Sequence, residues 1–257
     1  MELPIFYCPP ERRRDDIVQL PDEESHHALS VMRLTQADRV IVVDGVGTAY
    51  RGEIARIVSR KKVEVRLHLE IRNFGEPAVV LTLAAGLSVG SKFDTVVQEG
   101  TELGVKRFVP IISERSKVKL DDPKKASTKI RRLERVALAA IKQCRRSYRP
   151  DISLPVSFAE YMKQADSEDL KLIFQPGDRV AQQGRTWTAS LEHIPIDAQT
   201  KRITTLVGPE SGFTPDEVDL AGKVGFISVS LGPRILRTET AGPVACALVM
   251  NMLGELR

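Results

Sequence analysis

A chain of 257 residues, 42% hydrophobic and 28% charged, carries enough apolar material for one large or two modest domains. No apolar run approaches the about 20 residues needed to cross a bilayer. The start, MELPIFYCPPERRRDD, lacks the basic region, apolar stretch and cleavage site of a secretion signal, so a cytoplasmic protein without membrane contact is expected. Cys8, Cys144 and Cys246 lie far apart with no CxxC spacing, so neither a metal site nor a disulfide framework is expected.

The chain to about residue 72 reads as β-rich. Val40 to Asp44 is a short apolar run closed by the turn signal Asp44-Gly45, and Tyr50 to Ile57 and Lys62 to Ile71 (KVEVRLHLEI) alternate apolar with polar as half-buried strands do. One short helix, Glu23 to Met32, interrupts them, and short strands with tight turns suggest a small barrel. After the punctuated linker Asn73 to Pro77 the pattern changes. Ala78 to Gly86 (AVVLTLAAG) reads as a strand buried on both faces. A helix follows from Ser91 to Leu103, with Gly104 at its left-handed C-terminal position, and then a strand from Val105 to Ile112. Thr128 to Cys144 predicts a helix with Ile130, Leu133, Ala137, Ala140, Ile141 and Cys144 on one stripe. Leu170–Phe174, Ile203–Val207 and Phe226–Ser230 are further strands, Pro215 to Val224 a helix, and Thr240 to Leu256 a long final helix. Strands alternating with helices imply a parallel sheet with a ligand site beyond the strand C-termini, hence an α/β domain following the β-rich one.

The net charge is only +4, but residues 113–150 hold 13 basic and 4 acidic residues, so this block is +9 and the remainder −5. Such a block suits a phosphate-binding surface. A solvated helix face carries similar charge, and charge alone does not separate the two readings.

Two segments carry polar functionality at strand ends. Strand Ile203–Val207 runs into Gly208-Pro-Glu-Ser-Gly-Phe213. Thr214, Pro215 and Glu217 then supply an N-cap, a first-turn proline and the second half of a capping box. GxGxxG is absent, and no GKS or GKT follows, so neither a dinucleotide fingerprint nor a P-loop is present. Strand Phe226–Ser230 runs into Leu231-Gly-Pro-Arg-Ile-Leu-Arg-Thr-Glu-Thr-Ala-Gly242, a loop crowded with two arginines, a glutamate and two threonines before a small-residue helix in which Thr240 is the expected cap.

The run LVGPESGFTPDEV…LGPRILRTETA resembles the signature of the RsmE family, the bacterial small-subunit rRNA uracil-N3 methyltransferases of the SPOUT superfamily. His27-Ala-Leu-Ser-Val-Met-Arg-Leu34, Thr101-Glu-Leu-Gly-Val105, and Ser113-Glu-Arg-Ser116 with Lys119 are similar to further family segments, in order, over nearly the whole chain. Three departures stand out. Ser211 takes the place of a usual second glycine, next to the expected cofactor. Lys142-Gln-Cys-Arg-Arg146 replaces the more usual E-Q-S/C-G-R and adds charge expected to favour RNA. Ala37 replaces a common glycine.

The resemblance implies a PUA-like RNA-binding β-barrel over residues 1–72 and a SPOUT methyltransferase domain with a parallel sheet and a trefoil knot over residues 73–257. It implies S-adenosylmethionine as cofactor, a homodimer built around the final helix, and 16S rRNA in the small ribosomal subunit as partner. The expected cofactor residues are Leu206, Val207, Gly208, Pro209, Glu210, Gly212, Leu231, Gly232, Leu236, Thr238 and Thr240. The side-chain chemistry of the second loop makes Arg237 and Arg234 candidates for stabilising charge on the uracil carbonyls. Glu239 or Glu210 are candidates for taking the N3 proton or orienting an arginine. Arg33, Arg115, Lys119, Arg145, Arg146 and Arg149 are candidate phosphate contacts. The implied reaction is methylation of uracil N3 at one decoding-region uridine of the assembled subunit. The alternatives are a SPOUT methyltransferase acting on a ribose 2′-oxygen or on transfer RNA, and a non-catalytic RNA-binding ribosome-assembly factor.

Overall fold

The computed structural model describes residues 3–118, 122–165, 168–176, 191–194, 196–197 and 199–256. They form two compact units. One comprises Met1–Glu76 and Leu138–Arg149, the other Pro77–Ala137 and Pro150–Arg257.

The first unit holds strands β1 (Ile5–Tyr7), β2 (Arg13–Arg14), β3 (Ile17–Gln19), β4 (Arg39–Val43), β5 (Thr48–Ser59) and β6 (Lys62–Arg72), and helix α1 (Asp22–His26), which continues as a wider turn over His27–Val31. The strands form one sheet in the order β1-β4-β5-β6-β3-β2, antiparallel throughout except for β1 with β4. Alternation in β6 buries Val63, Val65 and Leu67 against Phe6, Leu20, Ala28, Val40, Val42 and Ile54. It fails at Leu69, which is exposed. β1 and β3 are three-residue strands, too short to show a period in the sequence. His27, in the segment read as a family motif, packs edge-on against Phe6 at 5.9 Å between ring centres.

The second unit runs β7 (Val80–Gly86), α2 (Lys92–Glu102), β8 (Val105–Ile112), α3 (Pro123–Cys144), β9 (Asp151–Ile152), β10 (Val156–Ser157), α4 (Phe158–Gln164), β11 (Leu170–Gln175), β12 (Arg202–Val207), α5 (Pro215–Lys223), β13 (Ile227–Ser230) and α6 (Thr238–Met252). Its sheet has the order β10-β8-β7-β12-β11-β13, with β9 also on β8, and every pairing is parallel. This is the α/β domain that the strand–helix alternation predicts. The continuous apolar character of β7 follows from burial on both faces: Leu81, Leu83 and Ala85 join one core and Ala84 the other. Gly104 ends α2 with φ +89°, the left-handed position read from the sequence.

Of the stripe expected on α3, Ile130, Leu133, Ala137, Ala140 and Ile141 are buried and Cys144 is half-buried. The helix begins at Pro123, five residues before the expected start, because proline fits a first turn where its missing N–H is no loss. The unit boundary falls inside it, between Ala137 and Leu138. α4, not foreseen, opens on a capping box in which Ser157 Oγ accepts from the Glu160 N–H at 3.2 Å. α6 starts at Thr238, with Arg237 rather than Thr240 at the N-cap position and no side-chain capping bond, and ends at Met252, short of Leu256. Its small-residue face is turned into the unit's own core through Ala241, Ala245, Cys246, Val249 and Met250. Burying side chains the size of Val249 and Met250 contributes roughly 1.5–3 kcal/mol each. No helix among the described residues is long and apolar enough to cross a membrane.

Candidate active site

The adjacent strands β12, β11 and β13 end side by side at their carboxyl ends, where open parallel sheets bind ligands. Residues at these ends line a half-open cavity of about 620 Å³, counting the space open to solvent. From the loop after β12 come Val207, Gly208, Pro209, Glu210, Gly212 and Phe213. The segment after β13 gives Leu231, Gly232, Arg234, Ile235, Leu236, Thr238 and Ala241. The third wall is Phe174, Gln175 and Pro176, at the end of β11.

Local chemistry shapes each wall. In the first loop the Gly212 N–H donates to the Pro209 carbonyl at 2.7 Å. The loop then closes on the predicted capping box, Thr214 Oγ1 accepting from the Glu217 N–H at 3.2 Å and Glu217 Oε2 from the Thr214 N–H at 2.8 Å. The other Glu217 oxygen accepts from the Glu114 N–H at 2.9 Å, which brings the Ser113-Glu-Arg-Ser116 turn against this helix start. Gly86, at the end of β7, lies so close to the loop that a Cβ there would stand 2.2 Å from the Pro209 nitrogen. Only glycine permits that approach. Thr238 is buried and its hydroxyl donates to the Gly208 carbonyl at 3.2 Å, tying the second loop to the first. The Ser230 hydroxyl, accepting from the Gly232 N–H at 3.1 Å, shapes the turn after β13. Gln175 is 8% exposed, and its Nε2 is a buried donor with no partner among the described residues.

Nine of the expected cofactor residues, Val207, Gly208, Pro209, Glu210, Gly212, Leu231, Gly232, Leu236 and Thr238, line this cavity. Two do not. Leu206 is fully buried and packs with Ala84, Ile173 and Phe213, because alternation along β12 points it away. Thr240 is exposed inside the first turn of α6, since the helix begins two residues earlier than the sequence suggested. Of the candidate catalytic groups, Arg234 and Glu210 border the cavity. Arg237 is exposed on the cap of α6 and does not line it. Glu239 is half-buried in the first turn of that helix, with Oε2 sealed from solvent and without a partner among the described residues.

Glu210 forms an ion pair with Lys92, at the start of α2. The hydrogen bond from Lys92, reinforced by the charges of Lys92 and Lys117, holds the Glu210 carboxyl below the usual carboxylate range, and the same bond raises Lys92. Glu239 and Arg237 also act on the Lys92 charge, so all these groups share one electrostatic neighbourhood.

The candidate phosphate contacts separate into groups. Arg33 and Arg149 are exposed. Arg115 is exposed, but its Nη1 donates to the Phe213 carbonyl at 3.3 Å and to that of Ser211 at 3.5 Å, so it also braces the first loop. Arg145 is half-buried at φ +65°, its guanidinium 5.9 Å from the centre of the Phe74 ring. Lys119 lies outside the described residues. Arg146 corrects the sequence reading: it is 2% exposed, and Nη2 and Nε donate to Glu76 Oε2 at 2.8 and 3.2 Å. Glu76 also accepts from the N–H groups of Ser147 and Tyr148, so this guanidinium is committed to a buried structural ion pair. Lys142 donates to Glu24 Oε1 at 2.5 Å, so its share of the charge expected to favour RNA is neutralised internally as well. Ser211 lines a smaller cleft and not the 620 Å³ cavity, so the off-pattern serine leaves that cavity's wall intact.

Sequence reasoning missed Phe174-Gln175-Pro176 and Lys92. β11 was foreseen, but a single glutamine after it forms no motif; the available signal was its place at a strand end beside β12. Lys92 lies 118 positions from its partner, and only the fold brings the two together.

A family model described as an RNA methyltransferase domain matches residues 75–250, and one described as an RNA methyltransferase PUA domain matches residues 20–67. The parallel sheet with its cavity at three strand ends and the small β-rich unit are thus the methyltransferase and PUA-like parts of an RNA methyltransferase. The ribosomal RNA small subunit methyltransferase E of Buchnera aphidicola (from Acyrthosiphon pisum) is 30% identical, over 100% of this chain and 96% of that protein. That of Bacillus subtilis is 32% identical over 91% and 90%. The chain belongs to this ribosomal RNA small subunit methyltransferase E family. Among solved structures, the Neisseria gonorrhoeae ribosomal RNA small subunit methyltransferase E bound to S-adenosylmethionine superposes with a TM-score of 0.83 at 28% identity, covering 98% of each chain. A Legionella pneumophila methyltransferase in complex with the same cofactor gives 0.84 at 29%, also over 98% of each.

Proposed function

We propose that this chain transfers the methyl group of S-adenosylmethionine to N3 of a uracil in small-subunit (16S) ribosomal RNA, at one decoding-region uridine of the assembled subunit, in the cytoplasm. The observation that carries this is the cavity walled by three neighbouring strand ends, in a chain whose relatives are named ribosomal RNA small subunit methyltransferase E. The residues present fit the cofactor. Gln175 Nε2 is a buried donor awaiting an acceptor. Gly86 lets the Gly208–Gly212 loop close down, and apolar groups such as Leu231, Leu236 and Phe174 offer a surface for an adenine ring. When bound, S-adenosylmethionine supplies an activated methyl on a sulfonium, so position and electrostatics are left to the protein.

Uracil N3 carries a proton and is a poor nucleophile until the proton leaves. Arg234, on the cavity wall, and Arg237, on the cap of α6, are cationic groups suited to stabilising the charge that builds on the carbonyl oxygens. Glu210, held ionised by Lys92, is a weak base and better suited to orienting the cations. Glu239 keeps an oxygen without a partner among the described residues, but that oxygen is sealed from solvent and off the cavity wall, so the group that takes the N3 proton is left unassigned.

The trefoil knot belongs to this proposal. β13 pairs with β11, whereas α6 packs against α2, β7 and β12, so residues 231–237 must cross the carboxyl ends of β11 and β12. A homodimer belongs to it too. The small-residue face of α6 is occupied by core, so a partner would meet the face that carries Leu248, 39% exposed; sedimentation tests this.

The test supplies labelled S-adenosylmethionine to small subunits lacking the modification, followed by mass spectrometry of the nucleosides. Methyl on uracil N3 is expected, and methyl on a ribose oxygen overturns the reading. Arg237→Ala should abolish turnover while cofactor affinity, read by calorimetry, is largely kept.

A further inference from the structure

The Pro209–Ser211 stretch has a second side. There, a shallow cleft open to solvent is lined by Ser88, Arg115, Lys117, Glu210 and Ser211, among others. Ser88 is 3% exposed, and its Oγ has no hydrogen-bond partner among the described residues. A buried hydroxyl left without a partner is costly, and such an atom on a cleft wall marks a place where a ligand completes the bonding. Lys129 reaches the Ser88 carbonyl with Nζ at 3.4 Å, and partial burial lowers its pKa.

Cations predominate around this hydroxyl, and Asp94, whose charge acts on Lys129, is itself paired with Arg132. Arg115 and Lys117 are exposed cations on the wall, and Lys129 adds a third beside Ser88. The one acid on the wall, Glu210, is already paired with Lys92. A small cleft with several cations, a buried hydroxyl and an anion that is already neutralised favours an incoming oxyanion.

We infer that this cleft is a phosphodiester subsite for the substrate RNA, in which Lys117 and Arg115 supply charge and Ser88 Oγ donates a hydrogen bond to a phosphate oxygen. The inference rests on the proposed action on RNA and adds a place on the protein where the nucleic acid is pinned. One loop then serves two ligands, with the cofactor against its cavity side and the RNA backbone against its cleft side. A phosphate held here puts its nucleotide beside Glu210, at the border of the cavity. Ser211 stands on the RNA side, so the family departure at this position bears on RNA contact.

Two substitutions probe the subsite without touching the cavity lining, Lys117→Ala and Ser88→Ala, with Lys201→Ala, an exposed residue just before β12, as control. Binding to deproteinised small-subunit rRNA is measured against salt, and methyl transfer to unmodified small subunits is measured in parallel. For Lys117→Ala the slope of log affinity against log salt should fall by about one, and affinity about tenfold at fixed salt. Ser88→Ala should raise KM for the subunit by roughly tenfold with kcat kept, the loss of one hydrogen bond to a charged group. Cofactor affinity should match wild type in both, and Lys201→Ala should change nothing. Unchanged slope and KM in both variants overturn the subsite, and so does a loss of cofactor affinity that accounts for the defect, because the cleft would then serve the cofactor's own carboxylate. If the wild-type enzyme methylates a different atom, the functional reading fails, and the salt slope still decides the cleft independently.

Discussion

One basic stretch of sequence ends in two opposite electrostatic situations. In the first unit, Lys142 and Arg146 turn inward and are neutralised by Glu24 and Glu76, with Arg146 sealed from solvent. In the second, Arg115 and Lys117 stand exposed beside the loop that walls the cavity, next to a buried hydroxyl with no partner. The same +9 block therefore staples one unit and leaves the other with a surface suited to an anion. Residue counts do not separate these roles. The difference lies in whether a buried carboxylate waits nearby, and Glu24 and Glu76 are 118 and 70 positions from the cations they meet.

That contrast can be broken experimentally. The largest effect is expected at the buried pair. Arg146→Ala should cost about 3–5 kcal/mol, because it strands the Glu76 carboxylate in the interior, whereas Lys117→Ala should stay within about 0.5 kcal/mol. Urea unfolding of the two variants compares them directly, and equal midpoints would dissolve the distinction. Next comes the cavity. Gly86→Ala forces a methyl into the Pro209 backbone, an overpacking worth about 1–3 kcal/mol, and should weaken S-adenosylmethionine by tenfold or more in calorimetry.

A smaller effect, of opposite sign, is expected at Arg145, which adopts a left-handed conformation at the end of α3 where the family pattern has glycine. Arg145→Gly should stabilise the protein by about 1 kcal/mol in the same urea assay, less whatever the contact with Phe74 contributes. The smallest effect concerns pH. Glu210 has a folded-state pKa held down by Lys92, so its contribution is complete above the ordinary glutamate range and is lost as pH falls through the depressed value. Carboxyl carbon NMR should show Glu210 titrating below about 4.3. Lys92→Met should move the titration up, and an unmoved titration would remove Lys92 from the account.

Much of this site was legible in the sequence because its information is local. Thr214, Pro215 and Glu217 spell a helix start, and the structure forms that capping box bond for bond. The glycine-bearing loop after β12 likewise lines the cavity as expected. Where a few residues' geometry decides, the reading slipped: Leu206 is turned away by the period-two alternation of its strand, and Thr240 by a two-residue shift in the start of α6. What stayed hidden depends on distant partners. The third wall is Gln175 at the end of a strand with no motif, and the Lys92–Glu210 and Arg146–Glu76 pairs exist only once the chain is folded. β1 and β3 were hidden for another reason: three residues pinned by pairing with longer neighbours carry no period of their own.

The division between a cofactor side and an RNA side of the Gly208–Gly212 loop meets its most direct test in titration calorimetry of S-adenosylmethionine into wild type, Gln175→Leu and Lys117→Ala. Wild type and Lys117→Ala should bind alike, and Gln175→Leu about tenfold more weakly, having lost the buried donor. A Gln175→Leu variant that binds as tightly as wild type, or a Lys117→Ala variant as weak as Gln175→Leu, would contradict it.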